Sequence, residues 1–368
     1  MSVTFAEVES AHGRWLYLDH DPDLLRIVCA VIIANRYDGP PVWLMIAGPS
    51  GGGKTAILTG VSAAAECDYT SAFTAAAFAS GSLGTSPLLD ELNQRVGLVK
   101  DFSTINSLPA EQRNNVLSIL RDVYDGQYKK WTGRSTEPIE WQGKIGLIAC
   151  STPQPLERTV IDSQQLGERF MIIRLRLNAE AVKRISVAAY EGSDSDRMRD
   201  ELEAISGEFL DTFQAPTVIP PDEVRDVIQS TARMIALTRS GVSRDRIDRA
   251  VDFPVMDSRE IPARLVKQLK QLAKGLGALE TPTDQIIRII RRVGTDCMPT
   301  RRLRILNAIA NGCTIQKSIS DKIGLGLQPT RRVLESMKLL GVIKMNRRTG
   351  VEFAEDELAL MFEDGVEL

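Results

Sequence analysis

Eight consecutive residues, Gly48-Pro49-Ser50-Gly51-Gly52-Gly53-Lys54-Thr55, carry the clearest chemistry in the chain. They fit G-x-x-x-x-G-K-[ST], a pattern whose glycines leave backbone N–H groups free to turn inward around phosphate. A lysine in that place reaches the β- and γ-phosphates of a nucleotide, and the hydroxyl after it ligates Mg²⁺. Gly48, Pro49, Ser50, Gly51, Gly52, Gly53, Lys54 and Thr55 are therefore the candidate phosphate cradle, with Thr55 a metal ligand. The plain alternative is a glycine-rich turn with a chance lysine. A second candidate is Asp101, closing Val96-Gly97-Leu98-Val99-Lys100-Asp101-Phe102. A short apolar run ending in an acid reads as a strand whose carboxyl end faces the ligand edge of an open α/β sheet. A third is the exit from Ile145-Gly146-Leu147-Ile148-Ala149-Cys150 through Ser151-Thr152-Pro153.

These groups can meet only if strands bring them to one edge. Val42-Trp43-Leu44-Met45-Ile46-Ala47 is a short apolar run that reads as a buried strand, and Thr55 to Glu66 reads as a helix. Strand, glycine loop and helix are the context the motif requires. Residues 1–40 read as helical, with Asp21-Pro22-Asp23 starting a helix that Asp38-Gly39-Pro40-Pro41 stops. Cys67 to Thr70 is a further strand, Pro87 to Arg95 a helix, and Pro109 to Tyr124 another. Gln127 to Trp141 reads as a β-hairpin, with aromatic residues flanking a polar glycine turn. Phe170 to Leu177 is a last strand, with Arg174 and Arg176 alternating as at a half-exposed edge. The fold class is α/β: a parallel-sheet core over 41–178, preceded by a helical segment (1–40) and followed by a charged helical lid (179–283).

The chain has 368 residues, 43% apolar and 25% charged, which suits a soluble protein of two or three domains. Its five cysteines are scattered and form no C-x-x-C pair. That favours free thiols in a reducing, cytoplasmic compartment and disfavours zinc. With His12 and His20 the only histidines, a histidine-based metal or catalytic triad site is also disfavoured. The first residues lack the pattern of a signal peptide, and no apolar run approaches the roughly 18 residues of a membrane span.

The net charge of −3 hides an uneven distribution: residues 284–348 carry 14 Lys/Arg against 4 Asp/Glu. Within this stretch three short helices are followed by a hairpin, Val342 to Phe353, with a basic turn. That order is the winged-helix pattern over 284–355, and the residues after it (356–368) form an acidic tail. The third helix, with Arg331 and Arg332, would enter the DNA major groove, and Arg347 and Arg348 of the wing would touch the backbone. A helical packing domain with a solvated basic face would share this composition.

Taken together these residues resemble a family of AAA+-type P-loop ATPases carried by phages and other mobile elements, related to the MCM-like replicative helicases. The resemblance rests on Pro41 to Ile46 leading into the loop, on Lys100-Asp101-Phe102-Ser103-Thr104, on Leu120 to Gly126, on Trp141-Gln142-Gly143-Lys144 and on Leu166-Gly167-Glu168-Arg169-Phe170. It covers residues 5–180 well and the remainder only in general plan. It implies ATP and Mg²⁺ as cofactors, and Asp101 as metal ligand or base. Thr152 would stand where the family keeps a sensor asparagine. Arg169 would be an arginine finger for a neighbouring subunit, and Arg264 the arginine that the lid presents to nucleotide. It further implies a homo-oligomer, a hexameric ring, acting on single- or double-stranded DNA away from membranes. Lys129, Lys130 and Arg134 of the hairpin would grip DNA in the pore, with Tyr128, Trp131 and Trp141 offering faces for bases; a surface hairpin packed on the preceding helix is the alternative. One departure stands out. The usual acidic pair of the second motif is reduced to Asp101, flanked by Lys100 and Phe102, leaving Asp90 and Glu91 as the nearest other acids. The expected activity is a DNA-coupled ATPase, a replicative helicase or initiator. The alternatives are a nucleotide-dependent DNA-binding switch or loader that does not unwind DNA, and a non-hydrolysing DNA-binding scaffold.

Overall fold

Continuous apolar runs with no alternation require a strand to be covered on both faces, and the sheet is built from such runs. The computed structural model describes residues 3–70, 87–131, 138–152, 169–191, 194–242, 261–346, 348 and 350–362. Its contacts divide the chain into two compact units, Met1–Pro220 with Lys270–Ile286, and Pro221–Leu269 with Ile287–Leu368.

The first unit opens with α1 (Phe5–Leu16), started by a capping box in which the Thr4 hydroxyl accepts from the Glu7 amide and the Glu7 carboxylate accepts from the Thr4 amide. Helix α2 (Asp23–Ala34) is apolar almost all round and is buried along its length save for Arg26. Then come β1 (Trp43–Ala47), α3 (Lys54–Gly60), β2 (Cys67–Thr70), α4 (Pro87–Glu91), β3 (Val96–Val99) and α5 (Ala110–Tyr124). A two-stranded antiparallel hairpin follows, β4 (Gln127–Lys130) with β5 (Ile139–Gln142). After it run β6 (Gly146–Ser151), β7 (Phe170–Arg174), α6 (Ala179–Glu191) and α7 (Ser195–Thr212). The five-stranded sheet has the order β2-β3-β6-β1-β7 and is wholly parallel. The α/β expectation therefore holds at this level, and β7 is an edge strand as its arginines suggested.

Among the elements that differ from their sequence reading, three do so for a local reason. Helix α3 ends at Gly60 rather than Glu66, where the Ser62 hydroxyl donates to the Thr59 carbonyl and ties off the turn. Helix α4 stops at Glu91 because Gln94 takes φ 61 and its amide donates to the Lys144 carbonyl instead. A 3₁₀ helix, Phe102–Ser107, follows β3 where no element was expected, with Asp101 as its N-cap.

The expected lid, 179–283, is not one piece. Helix α7 belongs to the sheet unit, packing on the elements around the glycine loop. Phe209 lies 5.6 Å from Phe5, Gly207 abuts Ala63, and the Asp211 carboxylate accepts from the Ala65 amide at 2.8 Å.

The second unit contains α8 (Asp222–Arg239) and parts of α9 (Ala263–Ala278) and α10 (Thr283–Asp296), both of which run across the division. It continues with α11 (Thr300–Ala310), α12 (Gln316–Ile323), α13 (Leu327–Leu339), the antiparallel pair β8 (Ile343–Asn346) and β9 (Gly350–Phe353), and α14 (Asp356–Leu360). Gly324 and Gly341, at φ 64 and φ 73, end the second and third of these C-terminal helices in the left-handed conformation glycine tolerates. Leu303, Leu306, Ile319, Leu334, Met337 and Val351 form the heart of their shared core.

Candidate functional site

The glycine loop leaves the carboxyl end of β1 and enters α3. Gly51 at φ 76 and Gly53 at φ 84 give it the left-handed turns that other residues resist. Gly48 and Gly52 serve another purpose. A Cβ on either would approach Leu175 to 2.8 and 2.9 Å, so the loop lies directly on that side chain. The Gly48 amide donates to the Ser151 carbonyl at 3.1 Å, pinning the loop to the end of β6. Unlike α1, α3 starts without a side-chain cap. Among the described residues no protein acceptor takes the amides of Gly51, Gly53, Lys54 or Thr55. A nest of unsatisfied donors with a lysine beside it fits phosphate oxygens.

Lys54 is buried, and its ammonium donates to the Gly48 and Pro49 carbonyls at 2.8 and 2.6 Å. Burial holds its pKa below the ordinary lysine value, offset by the nearby Cys150 thiol and Asp101 carboxylate. Through its bonds to these two carbonyls the side chain also closes the loop on itself. Burial pushes Cys150 up to about 12, with Lys54 opposing and Asp101 adding to the shift. Lys54, Asp101 and β6 thus share one electrostatic neighbourhood.

The sheet register explains that convergence. Val99 pairs with Ala149, and Ala47 with Ser151, so the ends of β1, β3 and β6 lie side by side. Asp101 is exposed just past its strand, and its carboxylate accepts from the Ser103 amide at 2.9 Å and from the Ser103 hydroxyl. Half-buried Thr152 follows β6 at the same edge. Lys100 turns aside, with its ammonium 4.3 Å from the Tyr69 ring centre. Glu91 is no neighbour of Asp101. It acts on Asp68, which pairs with Arg95 at 2.7 Å near the opposite end of β3. Asp90 precedes Glu91 on the same short helix, α4. Among the described residues no His, Cys, Asp and Glu cluster could hold a metal alone.

Arg169 stands at the other end of the sheet. Phe170 pairs with Trp43, and Arg174 with Ala47, so about 16 Å of extended chain separates Arg169 from the loop edge of its own chain. It is buried, bonded to the Asp125 carboxylate at 2.8 Å and placed 5.6 Å over the Tyr124 ring. Arg264 is half-buried in the first turn of α9 and belongs to the second unit.

The hairpin corrects one expectation. Tyr128 and Trp141 face each other across β4 and β5 and are buried, so neither offers a face to a base. Only Trp131, 65% exposed, does so, with the Lys129 ammonium 6.0 Å from its ring centre. Lys129 pairs with Glu140, and Lys130 is half-buried. Arg134 lies outside the described residues, as does Arg347. On the second unit Arg331, Arg332 and Arg348 are exposed, and Arg331 bonds Glu335 at 2.8 Å.

Sequence reasoning missed Leu175 and Asp21. Leu175 sits beneath the loop; the sequence had placed it inside a strand running to Leu177, whereas β7 ends at Arg174. Asp21 is buried and accepts from the Arg176 amide at 3.3 Å, next to Leu175; the sequence had offered it only as a helix-starting acid. Comparison with models of protein families and with curated proteins yielded no match to this chain.

Proposed function

We propose that this chain is an ATPase whose turnover is coupled to DNA. The observation that carries the reading is the loop Gly48–Thr55, with its unsatisfied amides and its buried lysine, placed beside Asp101 at the carboxyl edge of a parallel sheet. In this reading the loop amides and Lys54 hold the β- and γ-phosphates, and Lys54 exchanges its two loop carbonyls for phosphate oxygens. Bound Mg²⁺ supplies charge neutralisation between those phosphates. Thr55 and Asp101 would hold it, and Thr152 would face the terminal phosphate from β6. The placement of Arg169 at the far end of the sheet suits a residue that serves a neighbouring copy in a hexameric ring. Charge at such a position stabilises the transition state.

The DNA side of the reading rests on charge. The three helices and hairpin of the second unit follow the order of a winged helix, with Arg331, Arg332 and Arg348 exposed. On the hairpin of the sheet unit Lys129, Lys130 and Trp131 form a smaller basic and aromatic site for single-stranded DNA. The resemblance to MCM-like ATPases of mobile elements makes replicative unwinding or initiation the natural use. A switch or loader without unwinding is the second reading. It is favoured by the bond of Arg169 to Asp125 and by the single acid at Asp101, both of which would slow turnover.

Phosphate release measured with and without DNA tests the proposal. DNA-stimulated release is expected, and strand displacement separates a motor from a switch. Lys129→Ala with Lys130→Ala should leave basal release near wild type and abolish stimulation by single-stranded DNA. No phosphate release under any condition leaves the non-hydrolysing scaffold.

A further inference from the structure

The tip of α13 differs from the rest of its exposed face. Thr330, Leu334 and Met337 point into the core, leaving Leu327, Gln328, Arg331, Arg332, Glu335 and Lys338 on the outer side. The charged residues lie in the body of the helix. The first two positions are an apolar leucine, 51% exposed, and an exposed glutamine with no hydrogen-bond partner among the described residues. The Gln316 side chain donates to the Leu327 carbonyl at 3.0 Å and fixes this tip to the start of α12, where Ile315 is 66% exposed. Lys317, Lys344 and Arg348 are exposed on α12, β8 and the hairpin turn.

Leaving leucine and isoleucine in water at a helix start brings no stability, and the packed core beneath needs neither. The exposed cations of the same unit match a polyanion, and the neutral tip matches what lies between its phosphate rows. Base edges are read at the N-terminal end of a helix in the major groove, while cations on flanking elements hold phosphate. Among base edges, the thymine methyl is the apolar one, and adenine is the partner that a glutamine amide meets with two hydrogen bonds.

Resting on the DNA-binding reading of this unit, we infer that the tip of α13 reads A·T pairs in double-stranded DNA, Leu327 contacting the thymine methyl and Gln328 the adenine edge. Both residues are exposed, so replacing them leaves the core intact.

The test is binding of the full chain to alternating dA-dT, dA-dU and dG-dC duplexes of one length at one salt concentration. Uracil lacks only the methyl. The dA-dU duplex is expected to bind more weakly than dA-dT, by about fourfold for each methyl contacted. Leu327→Ala should bind both alike, near the wild-type level for dA-dU. Gln328→Ala should lose about tenfold on dA-dT and little on dG-dC. Equal wild-type affinity for dA-dT and dA-dU overturns the inference and leaves DNA binding standing. So does a methyl preference that survives Leu327→Ala. No binding to any duplex, or binding indifferent to salt, overturns the DNA-binding reading itself, and this inference with it.

Discussion

The two ends of the parallel sheet are made from the same strands and differ in how their backbone amides and charged side chains are used. At the carboxyl end, the amides of Gly51, Gly53, Lys54 and Thr55 have no protein acceptor among the described residues, α3 has no side-chain cap, and Asp101 is exposed. At the amino end, several polar groups are bonded inside the fold, although the Tyr128 hydroxyl and the Trp141 indole N–H of the adjoining hairpin are buried without a hydrogen-bond partner among the described residues. Arg169 bonds Asp125 at 2.8 Å, Lys144 donates to the Tyr37 carbonyl at 2.6 Å, and Asn93 accepts from the Lys144 amide at 3.1 Å. Tyr124, Trp43 and Phe170 stack edge to face or tilted, each 5.1 Å from the next. Unsatisfied groups destabilise a fold, and in the proposed reading phosphate oxygens would satisfy the loop amides. Substitutions at the carboxyl end should therefore change turnover far more than stability, and those at the amino end should change both.

The largest effect is expected for Lys54→Ala, which should reduce phosphate release to background. Because Lys54 also closes the loop through two carbonyls, unfolding should become easier by about 1 kcal/mol. Wild-type turnover in this variant would remove the loop as the site. Asp101→Asn should lower turnover by at least about 100-fold, with circular dichroism and the unfolding midpoint unchanged. Activity near wild type would show that another acid holds the metal.

Arg169→Ala tests the other end. It should destabilise the chain by about 1–2 kcal/mol, since the pair is charge-assisted but Asp125 is half exposed. It should also bind ATP yet turn over poorly, and mixing it with Lys54→Ala should restore activity across a shared interface. A loss of stability with full turnover would make Arg169 purely structural.

The smallest effect on turnover concerns the support behind the loop helix. His12 is fully buried in α1, with its Nδ1 3.0 Å from the Val8 carbonyl and its Nε2 against Gly60, where a Cβ would approach to 2.6 Å. Burial pushes its pKa from 6.5 down to about 4. The folded state thus holds the neutral ring, and the unfolded chain binds the proton first. The stability involved is complete above pH 6.5 and is lost as pH falls from there to about 4, at most about 3 kcal/mol. Urea midpoints at pH 7 and pH 4.5 should fall further in the wild type than in His12→Gln. Equal falls would place the acid sensitivity elsewhere.

Much of the carboxyl end was legible beforehand. The loop, the strand before it, and the strands ending near Asp101 and Thr152 all come from local patterns of glycine and continuous apolar residues. The amino end was far less so. Tyr128 and Trp141 looked like accessible aromatics because residue type says nothing about which face of a two-stranded ribbon is covered. The charged stretch after Asn178 looked like one lid, yet α7 joins the sheet unit through Phe209, Gly207 and Asp211, a pairing with residues more than a hundred positions away.

By itself the sequence determined the α/β class, the place of the glycine loop between a strand and a helix, and the concentration of basic charge after residue 284. These follow from short-range rules: hydrophobic period, glycine's freedom at positive φ, and the count of charges. Only the tertiary structure decided that β6 lies between β1 and β3, bringing Thr152 beside the loop, that Leu175 lies beneath Gly48 and Gly52, and that Arg169 and Glu91 lie away from Asp101. Strand order and register are settled by packing between distant segments, and no local pattern encodes which of several similar apolar strands will be neighbours.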